Sequence, residues 1–256
     1  MDITDVLPKE CISTIISFTS PKDAARISVV SSFFKAVADS DDVWETYLPS
    51  DFEDIIVKPL SRNLSSLSKK DLFLHLCDHP IPISYNNMSL VLDKDSGKKC
   101  FKVGAKRLEI NWEENPVSWN WNCPSRFRFH QLEQRWVSNS LEVKGRIVTR
   151  LLSQNTTYAV FLVCKFNRWG SGGLHRPMDL TVEYEGSENG SHKRMILSPS
   201  SDLVRHKGNR WMELEMGEFV NEDEDNHSVI CRLFHDNIVK DGLIIKGIEF
   251  RPKHNV

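Results

Sequence analysis

Three tryptophans standing close together, Trp112, Trp119 and Trp121, are the side chains of this sequence best suited to hold a ligand. An aromatic ring is a flat apolar plate with a polar handle, a shape that accepts the C–H face of a sugar while nearby carboxylates or amides take the hydroxyls. Trp119 and Trp121, two residues apart, point the same way if the segment is extended. The competing use of such rings, and of Trp136, is to fill a β core.

Catalytic chemistry finds no support. The chain lacks G-x-x-x-x-G-K-[ST], G-x-S-x-G and H-E-x-x-H, and Trp169-Gly170-Ser171-Gly172-Gly173 is a lone glycine-rich turn without a strand-to-helix phosphate context. His75 and His79 have i, i+4 spacing, yet no third ligand is near them in sequence. The six cysteines, Cys11, Cys77, Cys100, Cys123, Cys164 and Cys231, are widely spaced and form no C-x-x-C pair. They read as reduced, mostly buried thiols, which argues against a disulfide framework, a zinc site and a thioester-forming nucleophile. No catalytic residue, no metal and no cofactor are expected.

Composition narrows the partners. A net charge of -2 leaves no electrostatic footprint for nucleic acid or an anionic membrane. The acidic start, Met1-Asp2-Ile3-Thr4-Asp5, lacks a signal-peptide core, and no apolar run is long enough to span a bilayer. The expected location is the cytosol or nucleus.

The elements that must position any site change character along the chain. Residues 1–50 read as short amphipathic helices. Leu7-Pro8 opens the first, with Ile12, Ile15 and Ile16 on its apolar side. Ser20-Pro21-Lys22-Asp23 starts the second with a serine cap and an acid three residues on, and Ala24 to Val30 continue it. Phe33, Phe34, Val37 and Ala38 form a third apolar set, and Asp41-Asp42 lead into Trp44. So few residues make a marginal core, so this module is expected to dock on a partner through an apolar helical face. Residues 51–83 read as a connector, with a polar loop and a short helix begun by the capping pattern Ser68-Lys69-Lys70-Asp71 and ended before Pro80. Residues 84–256 switch to the period of strands. Asp95-Ser96-Gly97 marks a hairpin, Leu180, Val182 and Tyr184 alternate with Thr181, Glu183 and Glu185, and Met212, Leu214 and Met216 alternate with Glu213 and Glu215. Tyr158 to Cys164 is apolar on both faces and reads as a central strand. The fold class expected is α+β, multidomain, with a small helical N-terminus and an antiparallel β-sandwich of jelly-roll type behind it.

Two resemblances sharpen this. Leu7-Pro8, the isoleucine pairs, Ser20-Pro21, Val30-Ser31-Ser32-Phe33-Phe34 and Trp44 resemble an F-box over residues 3 to 50. Ala105 to Trp112, Trp119-Asn120-Trp121, Leu141 to Ile147, Trp211 to Phe219 and Gly242 to Pro252 resemble the plant phloem protein 2 domain, related to the tobacco-leaf lectin type, over residues 85 to 253. Together they resemble the F-box, phloem protein 2-B subgroup. That resemblance implies a substrate receptor of a cullin-RING ubiquitin ligase of the Skp–cullin–F-box type. A Skp-type adaptor would be held by Leu7, Pro8, Ile12, Ile15, Ile16, Val30, Phe33, Phe34 and Trp44, and a lectin-like sandwich would bind N-acetylglucosamine-containing glycans or glycoproteins through Trp112, Trp119 and Trp121. Trp112 and Trp119 match tryptophans of the lectin sugar site, so both their uses stay open, while Trp121 and Trp136 suit the core better. Where that site carries acids, spacing places Ser228 and His235 here, neither a ready carboxylate. A polypeptide ligand on a drifted lectin scaffold is the alternative.

Overall fold

The computed structural model describes residues 7–56, 64–84, 87–110, 119–122, 131–134, 140–166, 177–187, 190–196, 204–207, 211–222, 227–236 and 243–254. The chain divides into two compact units, residues 1–83 with 90–100, and residues 84–89 with 101–256.

Among the described residues the first unit holds the short helices α1 (Lys9–Ser17), α2 (Pro21–Ile27), α3 (Ser32–Ala38), α4 (Asp41–Tyr47), α5 (Phe52–Ile56) and α6 (Lys69–Asp78). Local chemistry sets their starts. The Ser20, Ser31 and Ser68 side chains each accept the backbone N–H three residues on, satisfying donors that have no partner inside the helix. α2 stops at Ile27, so Val29 and Val30 lie in the turn beyond it and do not continue the helix. α1 packs on α3 and α4, and α4 packs on α6. Trp44 sits at the centre, 2% exposed, its indole N–H donating to the Ala38 carbonyl at 2.7 Å and its ring 5.2 Å from that of Phe73. The Tyr47 hydroxyl donates to the Ile16 carbonyl at 2.7 Å, tying α4 to the end of α1.

After β1 (Ile81–Ser84) comes a hairpin of β2 (Met88–Leu92) and β3 (Lys99–Gly104). Its tip, within residues 90–100, groups with the helical unit. The reason is close packing and charge. Gly97 adopts φ 74°, and a Cβ there would come within 2.7 Å of the Tyr47 carbonyl oxygen. Asp95 pairs with Lys22 at 2.8 Å, and Lys99 with Asp51 at 2.7 Å.

The second unit holds β4 (Glu109–Ile110), β5 (Trp119–Asn122), β6 (Gln131–Gln134), β7 (Leu141–Val148), β8 (Thr156–Phe166), β9 (Pro177–Tyr184), β10 (Gly190–Ile196), β11 (Val204–Lys207), β12 (Trp211–Asn221), β13 (Ser228–His235) and β14 (Leu243–Pro252). One antiparallel sheet has the order β10-β9-β13-β7-β4, and the other runs β3-β14-β8-β12-β11, with β6 also on β14 and β5 on β6. β8 is the predicted central strand, flanked by β14 and β12 and buried on both faces. The sheets press their apolar faces together: a Cβ on Gly145 of β7 would lie 2.6 Å from Ile248 of β14, and one on Gly217 of β12 would lie 2.7 Å from Ser191 of β10. β14 carries a register shift at Gly247, whose φ of 151° and close approach to the Val103 carbonyl exclude a side chain.

Alternation does not by itself set exposure on β12. Glu213 alternates with Met212 and Leu214 as read, yet it is only 3% exposed, because Arg251 lies over it. Arg251 donates to both Glu213 and Glu249, and Lys102 reaches Glu249 at 2.7 Å. The outer side of this sheet is therefore charged and largely covered, not simply solvated.

Candidate binding surfaces

The helical unit exposes apolar side chains that its own core cannot take. Ile12 and Ile16 face inward at 4% and 2% exposure, while Ile15 of the same helix is 54% exposed and Phe18, at its C-terminal cap, is 85% exposed. Val29 and Val30 in the turn after α2 are 84% and 68% exposed. Leu7 is half-buried, Pro8 is exposed at the helix start, and Phe33 and Phe34 are half-buried with their rings edge-to-face at 5.8 Å. Of the nine residues expected to touch an adaptor, Ile12, Ile16 and Trp44 are buried against the unit's own helices. Phe18 and Val29, both more exposed than Val30, are not among the nine. Phe18 directly follows the isoleucine helix, and that was its one sequence signal.

The sandwich carries a concavity of about 560 Å³ at one end, where β9 turns into β10 and β12 runs out toward Glu222. Its walls include Glu183, Tyr184, Glu185, Glu218, Phe219 and Glu222. The Tyr184 hydroxyl donates to the Val220 carbonyl, and its ring meets Phe219 and His227 edge-on, each at 6.2 Å between centroids. Glu185 is paired with Arg146 at 2.7 Å and Glu218 with Lys253 at 2.7 Å. None of these residues was singled out as a site from sequence, because the cavity is assembled from separate segments.

Burial sets the state of three of the thiols. Burial pushes the Cys77 and Cys164 thiols up to about 12 and raises Cys231 further, which suppresses the thiolate a nucleophile needs. His75 and His79 stack with ring centroids 4.3 Å apart, and no group of three His, Cys, Asp or Glu converges as a metal cage. Cys123 and the glycine turn 169–173 lie outside the described residues.

Comparison with known proteins agrees with both halves. The F-box domain model matches residues 5–46, and the phloem protein 2 model matches residues 98–252. F-box protein PP2-B5 of Arabidopsis thaliana is 36% identical over 97% of this chain and 87% of its own length, and F-box protein PP2-B10 of the same plant is 35% identical over 97% and 93%. The chain belongs to the phloem protein 2-B group of plant F-box proteins. F-box protein VBF of Arabidopsis is 30% identical over 97% of this chain and 99% of its own. Among solved structures, the xylan-binding domain CBM22-1 of Paenibacillus barcinonensis Xyn10C overlaps 60% of this chain and 90% of its own at a TM-score of 0.33 and 10% identity, a likeness too slight to bear on ligand.

The F-box match covers α1 to α3 and most of α4. Within the phloem protein 2 domain, Trp112 and Trp136 lie outside the described residues, while Trp119 and Trp121 stand on β5 opposite Gln134 and Leu132 of β6, their side chains outside the description. The acid positions expected of a lectin are corrected. Ser228 and His235 are the two ends of β13, roughly 24 Å apart at the rise of an extended strand, and an odd spacing turns them to opposite faces. His235 is fully buried with Val229, Cys231 and Leu233 on the inner face. The two cannot serve one sugar ring.

Proposed function

We propose that this chain is the non-catalytic substrate receptor of a Skp–cullin–F-box ubiquitin ligase, acting in the cytosol or nucleus. The observation behind this is the exposure of Ile15, Phe18, Val29 and Val30 on an F-box whose core is complete without them. An exposed apolar set on so small a helical unit is energetically unfavourable in water and is relieved when a partner covers it. A Skp-type adaptor seated there would connect the chain to a cullin-RING ligase. Co-expression with such an adaptor and a cullin should give a ternary complex on gel filtration; a chain that stays alone at micromolar concentration overturns the reading.

The phloem protein 2 domain is then the substrate arm, and we take its ligand to be a polypeptide. With Ser228 and His235 unable to share a ring, the polar half of a sugar site is not identifiable, which favours the drifted-scaffold alternative over binding of N-acetylglucosamine-containing glycans. The glycan reading keeps Trp112, Trp119 and Trp121 as its stacking surfaces. Titration with chitin oligomers separates the two: saturable binding lost in Trp119→Ala restores the glycan reading, and none below millimolar concentration leaves the polypeptide.

A further inference from the structure

We infer that the outer edge of β10 takes an added β-strand, an extended acidic segment of the polypeptide substrate, seated above β11 of the opposite sheet. This rests on the reading of the sandwich as the polypeptide-binding arm. β10 ends its sheet, and among the described residues no strand pairs with its far side. It pairs with β9 over Gly190 to Ile196 with no register shift and no proline. Bulges and prolines, which blunt many edges, are thus absent from it, and the N–H and C=O groups of alternate residues face outward, the arrangement that strand addition uses. The two sheets also end unevenly. β12 packs on both β9 and β10 across the sandwich, and β11 carries its own sheet one strand further out. His206 of β11 sits opposite Met212, on the same inner side as the fully buried Leu214, yet it is exposed. A strand added to β10 would cover it and bring the two sheets level.

Charge selects the sequence of the added strand. On the outer face of β10, His192 and Arg194 are 61% and 64% exposed and share one carboxylate, Asp179, at 3.5 and 3.7 Å. Lys193 between them turns to the other face and is held by Glu215 at 2.8 Å, and β11 adds the exposed Arg205. A second copy of β10 would set these cations against themselves, so the charge that guards the edge from self-pairing admits an acidic strand. Side chains directly opposite on paired strands stand about 4.5–5.5 Å apart, so acids at alternate positions of the added strand meet His192 and Arg194. Ile196, exposed at the end of the same face, gives an apolar neighbour to the residue beyond them. A sugar has no row of N–H and C=O groups to match such an edge.

The test uses the full chain and a fluorescein-labelled nonapeptide in which glutamate alternates with valine, against the same peptide with glutamine for each glutamate. Anisotropy should show the glutamate peptide binding at least about tenfold tighter, and less tightly at high salt. N-methylation of every second backbone amide should abolish binding for one set of positions, odd or even, and spare it for the other, because one edge of a strand faces β10 and the other faces water. Hydrogen exchange at residues 190–196 should slow at saturation while that of β7 stays as it was. His192→Glu with Arg194→Glu should abolish binding, and the control Lys106→Glu with Arg107→Glu should keep it; all four positions are exposed, so the fold survives, which equal melting temperatures check. Equal binding of the glutamine peptide, the same effect from both N-methylated sets, unchanged exchange in β10, or native binding by H192E/R194E would each overturn the inference, as would a dimer of the chain that this variant dissociates. Chitotriose titrated into the same samples separates the two levels. Saturable binding that depends on Trp119 removes the polypeptide reading itself, whereas a silent peptide with no chitotriose binding removes only the strand at β10.

Discussion

The two units solve the burial problem in opposite ways. In the sandwich, β8 is covered on both faces and flanked by β14 and β12, so Tyr158, Val160, Leu162 and Cys164 find neighbours within the unit. In the helical unit, α1 divides its isoleucines, with Ile12 and Ile16 inside and Ile15 outside, and Phe18, Val29 and Val30 join Ile15 in solvent. Helices of seven to ten residues carry more apolar surface than so small a core can absorb. The helical unit thus leaves large apolar side chains in solvent, while the sandwich encloses the apolar side chains of its central strand.

The comparison can be broken first at the cores. Phe250→Ala, at a fully buried ring between the sheets, should destabilise the sandwich by about 3–5 kcal/mol in denaturant unfolding. On α1 the same kind of truncation should split sharply: Ile16→Ala should cost about 2–5 kcal/mol, and its neighbour Ile15→Ala should stay within about 0.5 kcal/mol. Equal losses at the two positions would contradict the division of that helix.

Acid probes the covered charges of the sandwich. Burial by itself would raise Glu249, but Lys102 and Arg251 more than reverse it and hold the carboxyl at about 2, against an ordinary 4.5. Because the folded value is the lower one, its contribution is fully present above about pH 4.5 and is lost as pH falls toward 2, on the order of 3 kcal/mol in total. Unfolding followed between those pH values should show this slope, and Glu249→Gln should flatten it. A more modest loss is expected at a cap: Ser68→Ala, losing the acceptor for the Asp71 N–H, should cost about 1 kcal/mol.

What could be read from the sequence was what depends on neighbours along the chain. The caps at Ser20 and Ser68, the hairpin at Gly97 and the two-sided apolar run of β8 all follow from residues a few positions apart. β4, β6 and β11 were not legible: each is short, and its strand character comes from pairing with a partner distant in sequence. Helical periodicity gathered Ile12, Ile15 and Ile16 on one side but could not say which of them the unit would keep for itself. Spacing alone placed Ser228 and His235 at one sugar site, although a continuous strand holds them apart. The cavity beside Tyr184 was invisible for a similar reason, since it is assembled from segments of β9, β10 and β12 that are distant in sequence.

The most direct measurement is calorimetric titration of a Skp-type adaptor into the full chain and into the double variant Ile15→Asp, Val30→Asp. Both side chains are exposed, so the melting temperature should not move, unlike that of an Ile12 and Ile16 double variant, which would unfold the unit and test nothing about docking. The account predicts that the double variant loses at least about a hundredfold in affinity, with the heat-capacity change of apolar burial reduced. Native affinity in a correctly folded double variant would contradict it.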